Sequence, residues 1–146
     1  METVKIKKLN DMAIIPKKAH NDDAGFDLYA AIPDTIVIHD HQTVLIGTGI
    51  SVELPKNTFG AIFARSGLAF KSDLAPANKV GVVDCNYRGE VCVALHNHGE
   101  YSREVKPGER IAQMVVMPYV NVSLELAEDL SDTDRGEGGF GSTGKN

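Results

Sequence analysis

Apolar residues in this chain recur at every second position, and almost nowhere with the spacing of a helix. Val4 and Ile6 flank Lys5. Ile50, Val52 and Leu54 alternate with Ser51 and Glu53, and Val91, Val93 and Leu95 alternate with Cys92 and Ala94. Phe59, Ala61 and Phe63 keep the same period around Gly60 and Ile62. A period of two is the pattern of a half-buried strand, because successive side chains leave opposite faces of a sheet. Ile36-Val37-Ile38 and Val44-Leu45-Ile46 are short aliphatic runs, and Ile111 to Val120 is a longer one that predicts a strand buried on both faces. Turn chemistry separates these segments: Leu54-Pro55-Lys56-Asn57, Asn97-His98-Gly99-Glu100 and Lys106-Pro107-Gly108-Glu109. Residues 78–90 predict a β-hairpin. Leu68-Ala69-Phe70-Lys71 predicts one helical turn. Many short strands with Gly, Pro and Asn between them predict an all-β sandwich, jelly roll or barrel, with no repeat and no internal domain boundary.

Length and charge narrow the function. A chain of 146 residues is one domain, long enough for a core without staples. Fifteen Lys and Arg against 20 Asp and Glu give a net charge of −5, so a basic footprint for nucleic acid is absent. A polyanion would have to be met locally, by a few placed cations or a metal. No apolar run spans a bilayer, and the charged start Met1-Glu2-Thr3-Val4-Lys5 is not followed by the apolar stretch of a secretory signal. The expectation is a cytoplasmic protein with no membrane partner. Two cysteines, Cys85 and Cys92, make neither a disulfide framework nor a Cys₄ zinc site.

Several segments carry chemistry beyond what a fold needs. Residues 129–146 read as a mobile tail beyond a β domain of residues 1–128. Residues 136–144 of the tail are glycine-rich, with Arg135 opening the run and Phe140 its one large apolar residue. Bare amides, hydroxyls and a guanidinium suit a phosphate clamp, although a frayed terminus has the same composition. Arg65-Ser66-Gly67 puts a guanidinium, a hydroxyl and a free amide at one turn, which suits phosphate as well as it suits solvent. Asp84 ends an apolar run; it can accept a proton from water or simply shape its own turn. Asp27 lies between Phe26 and Leu28, where a carboxylate needs a metal-bound water, an arginine or solvent. His39/His41 and His96/His98 have chelating spacing on a strand but no obvious third ligand, and read as surface histidines.

In order along the chain, these segments resemble the trimeric dUTPase family over essentially the whole length. The motifs are Ala24-Gly25-Phe26-Asp27-Leu28-Tyr29-Ala30; Arg65-Ser66-Gly67-Leu68-Ala69; Gly81-Val82-Val83-Asp84 with Tyr87-Arg88-Gly89; Gly108-Glu109-Arg110-Ile111-Ala112-Gln113; and Arg135-Gly136 with Gly139-Phe140-Gly141-Ser142-Thr143-Gly144. The resemblance implies a jelly-roll-like distorted β-barrel subunit in a homotrimer whose active sites are shared between chains. It implies hydrolysis of dUTP to dUMP and pyrophosphate with Mg²⁺ on the triphosphate, which supplies dUMP for thymidylate synthesis and keeps uracil out of DNA. Carried over residue by residue, Asp84 activates the attacking water and Gln113 helps it or the α-phosphate. Tyr87 lies under the deoxyribose. Asn78, Val82 and Val83 read uracil. Arg65, Ser66 and Gly67 hold phosphate, and Asp27 reaches the metal through water. Arg135 clamps the γ-phosphate, Phe140 covers uracil, and Gly141, Ser142 and Thr143 add phosphate contacts. The chain departs from the usual family pattern at Ala64, where many members have Pro, at Asn86, where many have Asp, and at Cys85.

The same superfamily contains dCTP deaminase, which differs in the chemistry done on the base. The Tyr87 segment together with the glycine-rich tail resembles the dUTPase version. An added regulatory role in protein binding is the alternative of another class, and no inserted domain advertises it.

Overall fold

The computed structural model describes residues 2–139. It contains eleven strands and one short helix, and every strand pairing is antiparallel. The strands are β1 (Lys5–Lys8), β2 (Phe26–Tyr29), β3 (Ile36–Ile38), β4 (Thr43–Gly47), β5 (Ile50–Glu53) and β6 (Thr58–Phe63), followed by helix α1 (Ser66–Ser72). Then come β7 (Leu74–Pro76), β8 (Gly81–Asp84), β9 (Cys92–Asn97), β10 (Arg103–Val105) and β11 (Arg110–Pro118). Two larger sheets, β2-β11-β6-β8 and β4-β9-β7, are joined by the ribbons β1-β5 and β10-β3.

One core lies between them. Leu28, Ile62, Ile111 and Met114 enter it from the first sheet, and Ile46, Leu74, Val93 and Leu95 from the second. The clearest alternation is on β9, where Val93, Leu95 and Asn97 are buried while Cys92, Ala94 and His96 are only half-buried. Asn97 tolerates full burial because its amide donates to the carbonyls of Ile38 and Tyr101, at 3.0 and 2.8 Å, while its Oδ1 accepts from Gly99 N–H at 3.0 Å. The turns stand where Pro and Asn placed them. Asn57 adopts a left-handed φ of +60°, and Thr58 Oγ1 donates to the Pro55 carbonyl at 2.8 Å.

Four local expectations change. The hairpin over 78–90 does not form. β8 instead pairs with β6, with Asp84 opposite Phe59 and Val83 opposite Gly60, and the chain then crosses to β9 in the other sheet. A distant strand supplies the better partner, so the local turn at Asp84–Tyr87 closes no ladder. Ser51 is buried rather than facing solvent, because its hydroxyl donates to the Arg88 carbonyl at 2.9 Å. The long run from Ile111 ends as a strand at Pro118, and Val120 is 83% exposed. Its buried neighbours Ile111 and Ala112 both reach the core because the register shifts between Arg110 and Ala112, as a β-bulge does. The single helical turn is instead a seven-residue helix, stopped by Asp73 in the left-handed conformation.

Beyond β11, residues 119–139 carry no strand or helix. Val120, Val122, Leu124 and Leu126 alternate with polar neighbours there, yet all are exposed. Among the described residues no helix is long and apolar enough to cross a membrane.

The core predicts a large response to truncation. Leu95 is fully buried on β9, between β4 and β7. Leu95→Ala is expected to lower stability by about 2–5 kcal/mol, read as a fall in the urea midpoint at fixed protein concentration.

Candidate active site

The residues singled out in the sequence fall into two separate cavities, one touching β6 at Phe63 and the other at the adjacent Ile62. The first, about 390 Å³, is lined by Asp27, Arg65, Ser66, Gly67 and Gln113, with Ala19, Asp23, Ala24, Gly25, Phe63 and Val115. Sheet register explains the grouping. Asp27 on β2 pairs with Gln113 on β11, which pairs in turn with Phe63 on β6. Directly opposed residues share a face, and Arg65 follows two residues after Phe63.

Asp27 meets arginine here. Its Oδ1 accepts from Arg65 Nε at 2.7 Å and its Oδ2 from Arg110 Nη1 at 3.2 Å, with the carboxylate only 14% exposed. A carboxylate this far from water is tolerated because it is paired; left alone it would carry an uncompensated desolvation cost. The pairing uses Nε of Arg65, and its two Nη groups make no hydrogen bond among the described residues. They stay available to an incoming anion. Arg65 also occupies the N-cap of α1 without making a side-chain cap. The first amides of a helix have no intrahelical acceptor, so Ser66 and Gly67 offer N–H donors beside that guanidinium.

Gln113 is aimed by its neighbours. Its Nε2 donates to the Ala64 carbonyl at 2.9 Å. Its Oε1 lies where a side chain on Gly25 would start, so only glycine leaves room for this rotamer.

The second cavity, about 310 Å³, is lined by Asn78, Val82, Val83, Asp84 and Tyr87, with Leu45, Ile62, Gly81, Glu90, Val91 and Cys92. β8 pairs only with β6, so its outer edge presents unpaired backbone donors and acceptors to this cavity. Val83 points into the core while Val82 is 64% exposed. The Asp84 carboxylate is exposed and makes no hydrogen bond among the described residues. Tyr87 donates its hydroxyl proton to the Glu90 carbonyl at 3.0 Å. Burial pushes the Cys92 thiol pKa up, and the Glu90 charge adds to the shift, so this cysteine is a neutral wall rather than a nucleophile.

The cavities share no lining residue. Gln113 and Asp84 lie on opposite neighbours of β6, and their partners Phe63 and Phe59 are four residues apart. Four residues advance about 13 Å and two interstrand spacings add about 9.5 Å across, which sets the two backbones about 16 Å apart. Arg135 lines neither cavity; it is exposed, with its Nε donating to the Gly138 carbonyl at 2.8 Å. Phe140, Gly141, Ser142 and Thr143 lie outside the described residues. Among the described residues no group of three His, Cys, Asp or Glu side chains is arranged to hold a metal. His39, His41 and His98 are exposed, and the His96 and His98 rings sit 4.4 Å apart, edge to face.

Gly25, Arg110 and Glu90 had no assigned role in the sequence, although each lies inside or beside a motif. Gly25→Ala is expected to keep the fold while displacing Gln113. Hydrolysis of dUTP, the activity that the motifs imply, should fall by about 10²-fold, the cost of a misplacement near 1 Å, with the melting temperature read alongside as a check on folding.

The family model described as dUTPase matches residues 11–144. A deoxyuridine 5′-triphosphate nucleotidohydrolase from Crocosphaera subtropica is 50% identical, over 97% of this chain and 98% of that protein. One from Clostridium tetani is 48% identical over 98% and 97%. The fold superposes on the dUTPase of Staphylococcus bacteriophage 80alpha solved with dUPNHPP, with a TM-score of 0.91 and 29% identity, covering 99% of this chain and all of that one. Matched over its motifs, its sheets and nearly its full length, this chain belongs to the dUTPase family.

Proposed function

We propose that this chain hydrolyses dUTP to dUMP and pyrophosphate at a site assembled between copies, with one copy supplying the phosphate cavity and another the Asp84 cavity. The observation that carries the assembly is the separation itself. A general base must reach its water within hydrogen-bond distance, and about 16 Å of sheet divides Asp84 from Gln113 within one chain. A homotrimer lets neighbouring cavities face each other. The unpartnered apolar residues of 120–126 also support an assembled state, because a soluble monomer seldom leaves such a series bare.

Each residue then has a physical task. The exposed carboxylate of Asp84 takes the proton as water attacks the α-phosphorus. Gln113, fixed by Ala64 and Gly25, orients that water or the α-phosphate. Arg65 with the Ser66 and Gly67 amides holds the phosphate oxygens, where pre-aimed donors stabilise developing charge. Uracil is flat, with donors and acceptors along one edge, and the free edge of β8 at Val82 and Val83, with Asn78, offers the complement. Tyr87 packs beneath the deoxyribose and crowds the 2′ position. The tail from residue 129 closes over the nucleotide, with Arg135 on the γ-phosphate, Phe140 on uracil, and Gly141, Ser142 and Thr143 on phosphate oxygens.

The residues fit Mg²⁺ carried by the triphosphate, since Mg²⁺ keeps several waters and is commonly held by substrate phosphates with one or two carboxylates. Asp27 is the carboxylate that would reach its waters. The ion would neutralise phosphate charge.

Two assays test this reading. Offered dUTP, dUTP's ribose analogue UTP, dCTP and dTTP with Mg²⁺, the protein is expected to release pyrophosphate from dUTP and little from the rest; comparable turnover of dCTP would point to another member of the superfamily. Asp84→Asn and Gln113→Ala alone should each lose most turnover, about 10²–10⁴-fold for the general base. Co-expressed, they should recover about a quarter of parental activity, because random mixing leaves that share of sites with both halves intact. No recovery would place both residues in one subunit's site.

A further inference from the structure

The ring assigned to the sugar is held by residues that have no part in the chemistry above. The Tyr87 ring lies against Gly89, where a Cβ would collide with the hydroxyl and the ring carbons. The hydroxyl is fixed on the Glu90 carbonyl. The loop that carries the ring is gathered by Arg88, whose Nη1 donates to the carbonyls of Cys85 and Tyr87 at 2.8 and 2.9 Å. At its far end the loop is pinned through Val91, whose N–H donates to the Ile50 carbonyl at 2.9 Å and whose carbonyl accepts from Thr48 N–H at 3.2 Å, and two side-chain ties fasten the residues nearer the ring. Ser51 on β5 donates to the Arg88 carbonyl, and the Glu90 carboxylate accepts from Gly49 N–H at 2.7 Å. Gly47 makes that reach possible, since a Cβ there would lie 2.5 Å from Glu90 Oε1. Glu90 therefore uses its carbonyl on the Tyr87 hydroxyl and its carboxylate on the β4–β5 turn.

A ring excludes an extra hydroxyl only while it cannot retreat. About 1 Å of movement would admit the oxygen, and rejection by crowding would fade into accommodation. The connection of residues 85–91 between β8 and β9 carries the ring at its middle, away from either strand, and has little stiffness there of its own. We propose that Glu90 is a positioning residue for sugar selectivity: its carboxylate latches the Tyr87 loop to Gly49, and this latch lets the ring discriminate deoxyribose from ribose. The inference rests on the reading of Tyr87 beneath the sugar.

The experiment compares kcat/KM for dUTP and UTP, with Mg²⁺, in the full-length parent, Glu90→Ala, Glu90→Gln and Tyr87→Ala. Glu90→Ala is expected to reduce the dUTP preference by about tenfold, the order of one charge-assisted hydrogen bond, through improved use of UTP. Glu90→Gln keeps an oxygen for Gly49 N–H and should retain most of the preference. A merely structural Glu90 would lower both substrates together and leave the ratio unmoved, which would overturn the proposal. Tyr87→Ala separates the two levels. If it leaves the ratio unchanged, the sugar reading fails and the latch with it; if it relaxes the ratio while Glu90→Ala does not, the latch alone is wrong. Should Glu90→Ala give no soluble protein, Glu90→Asp, one methylene short of Gly49, is scored in the same way: a lowered ratio supports the latch and an unchanged ratio overturns it.

Discussion

β6 fixes the distances on which the site depends. It accepts β11 on one edge and β8 on the other, and it sets Phe63, just before the turn that carries Arg65, four residues from Phe59, the partner of Asp84. A hydrogen-bonded sheet cannot shorten along its strands, so the separation is as rigid as the ladder itself. In the proposed shared site a second copy would bridge it without distorting the core, since each subunit already holds its apolar residues in one continuous cluster.

Polar residues near the site are governed by the same economy of space. Asp27 is nearly buried and satisfied by two guanidinium groups that come from β11 and from the end of β6. Gln113 is held by the Ala64 carbonyl, with its Oε1 in the space that a Cβ on Gly25 would take. Among the described residues no buried side-chain nitrogen or oxygen lacks a partner. Groups held this way give up little freedom when a ligand arrives, and preorganisation of that kind is where enzymes find much of their rate.

Much of the barrel was legible because strand order two is a local property. β9 was visible as alternation and the turns at Pro55 and Pro107 as residue chemistry; β6 was visible as a strand, but its core residue is Ile62 while Phe59 and Phe63 are only half-buried. What escaped was non-local. No spacing rule says that Gly81–Asp84 pairs with β6 rather than folding back on residues 86–90, or that Ser51 finds a carbonyl 37 residues away. The bulge at Arg110–Ala112 placed two consecutive residues in the core against a strict period. At the site, the motifs picked out Asp27, Arg65, Gln113, Asp84 and Tyr87 as residues with chemistry. They did not show that Asp27 would be shared by arginines 38 and 83 positions along the chain. Nor did they show two cavities, since order in a sequence carries no distance.

The open edge of β8 has a cost outside catalysis. A bare strand edge is a template on which another chain can extend the sheet, and natural proteins blunt such edges with brevity, charge or bulges. β8 is four residues long and ends on Asp84, so the carboxylate at the site also stands as the repulsive end-stop of the edge. Neutralising it would remove a guard against sheet-to-sheet aggregation, and the colloidal behaviour of the protein at high concentration is thereby tied to the side chain that the proposed chemistry uses.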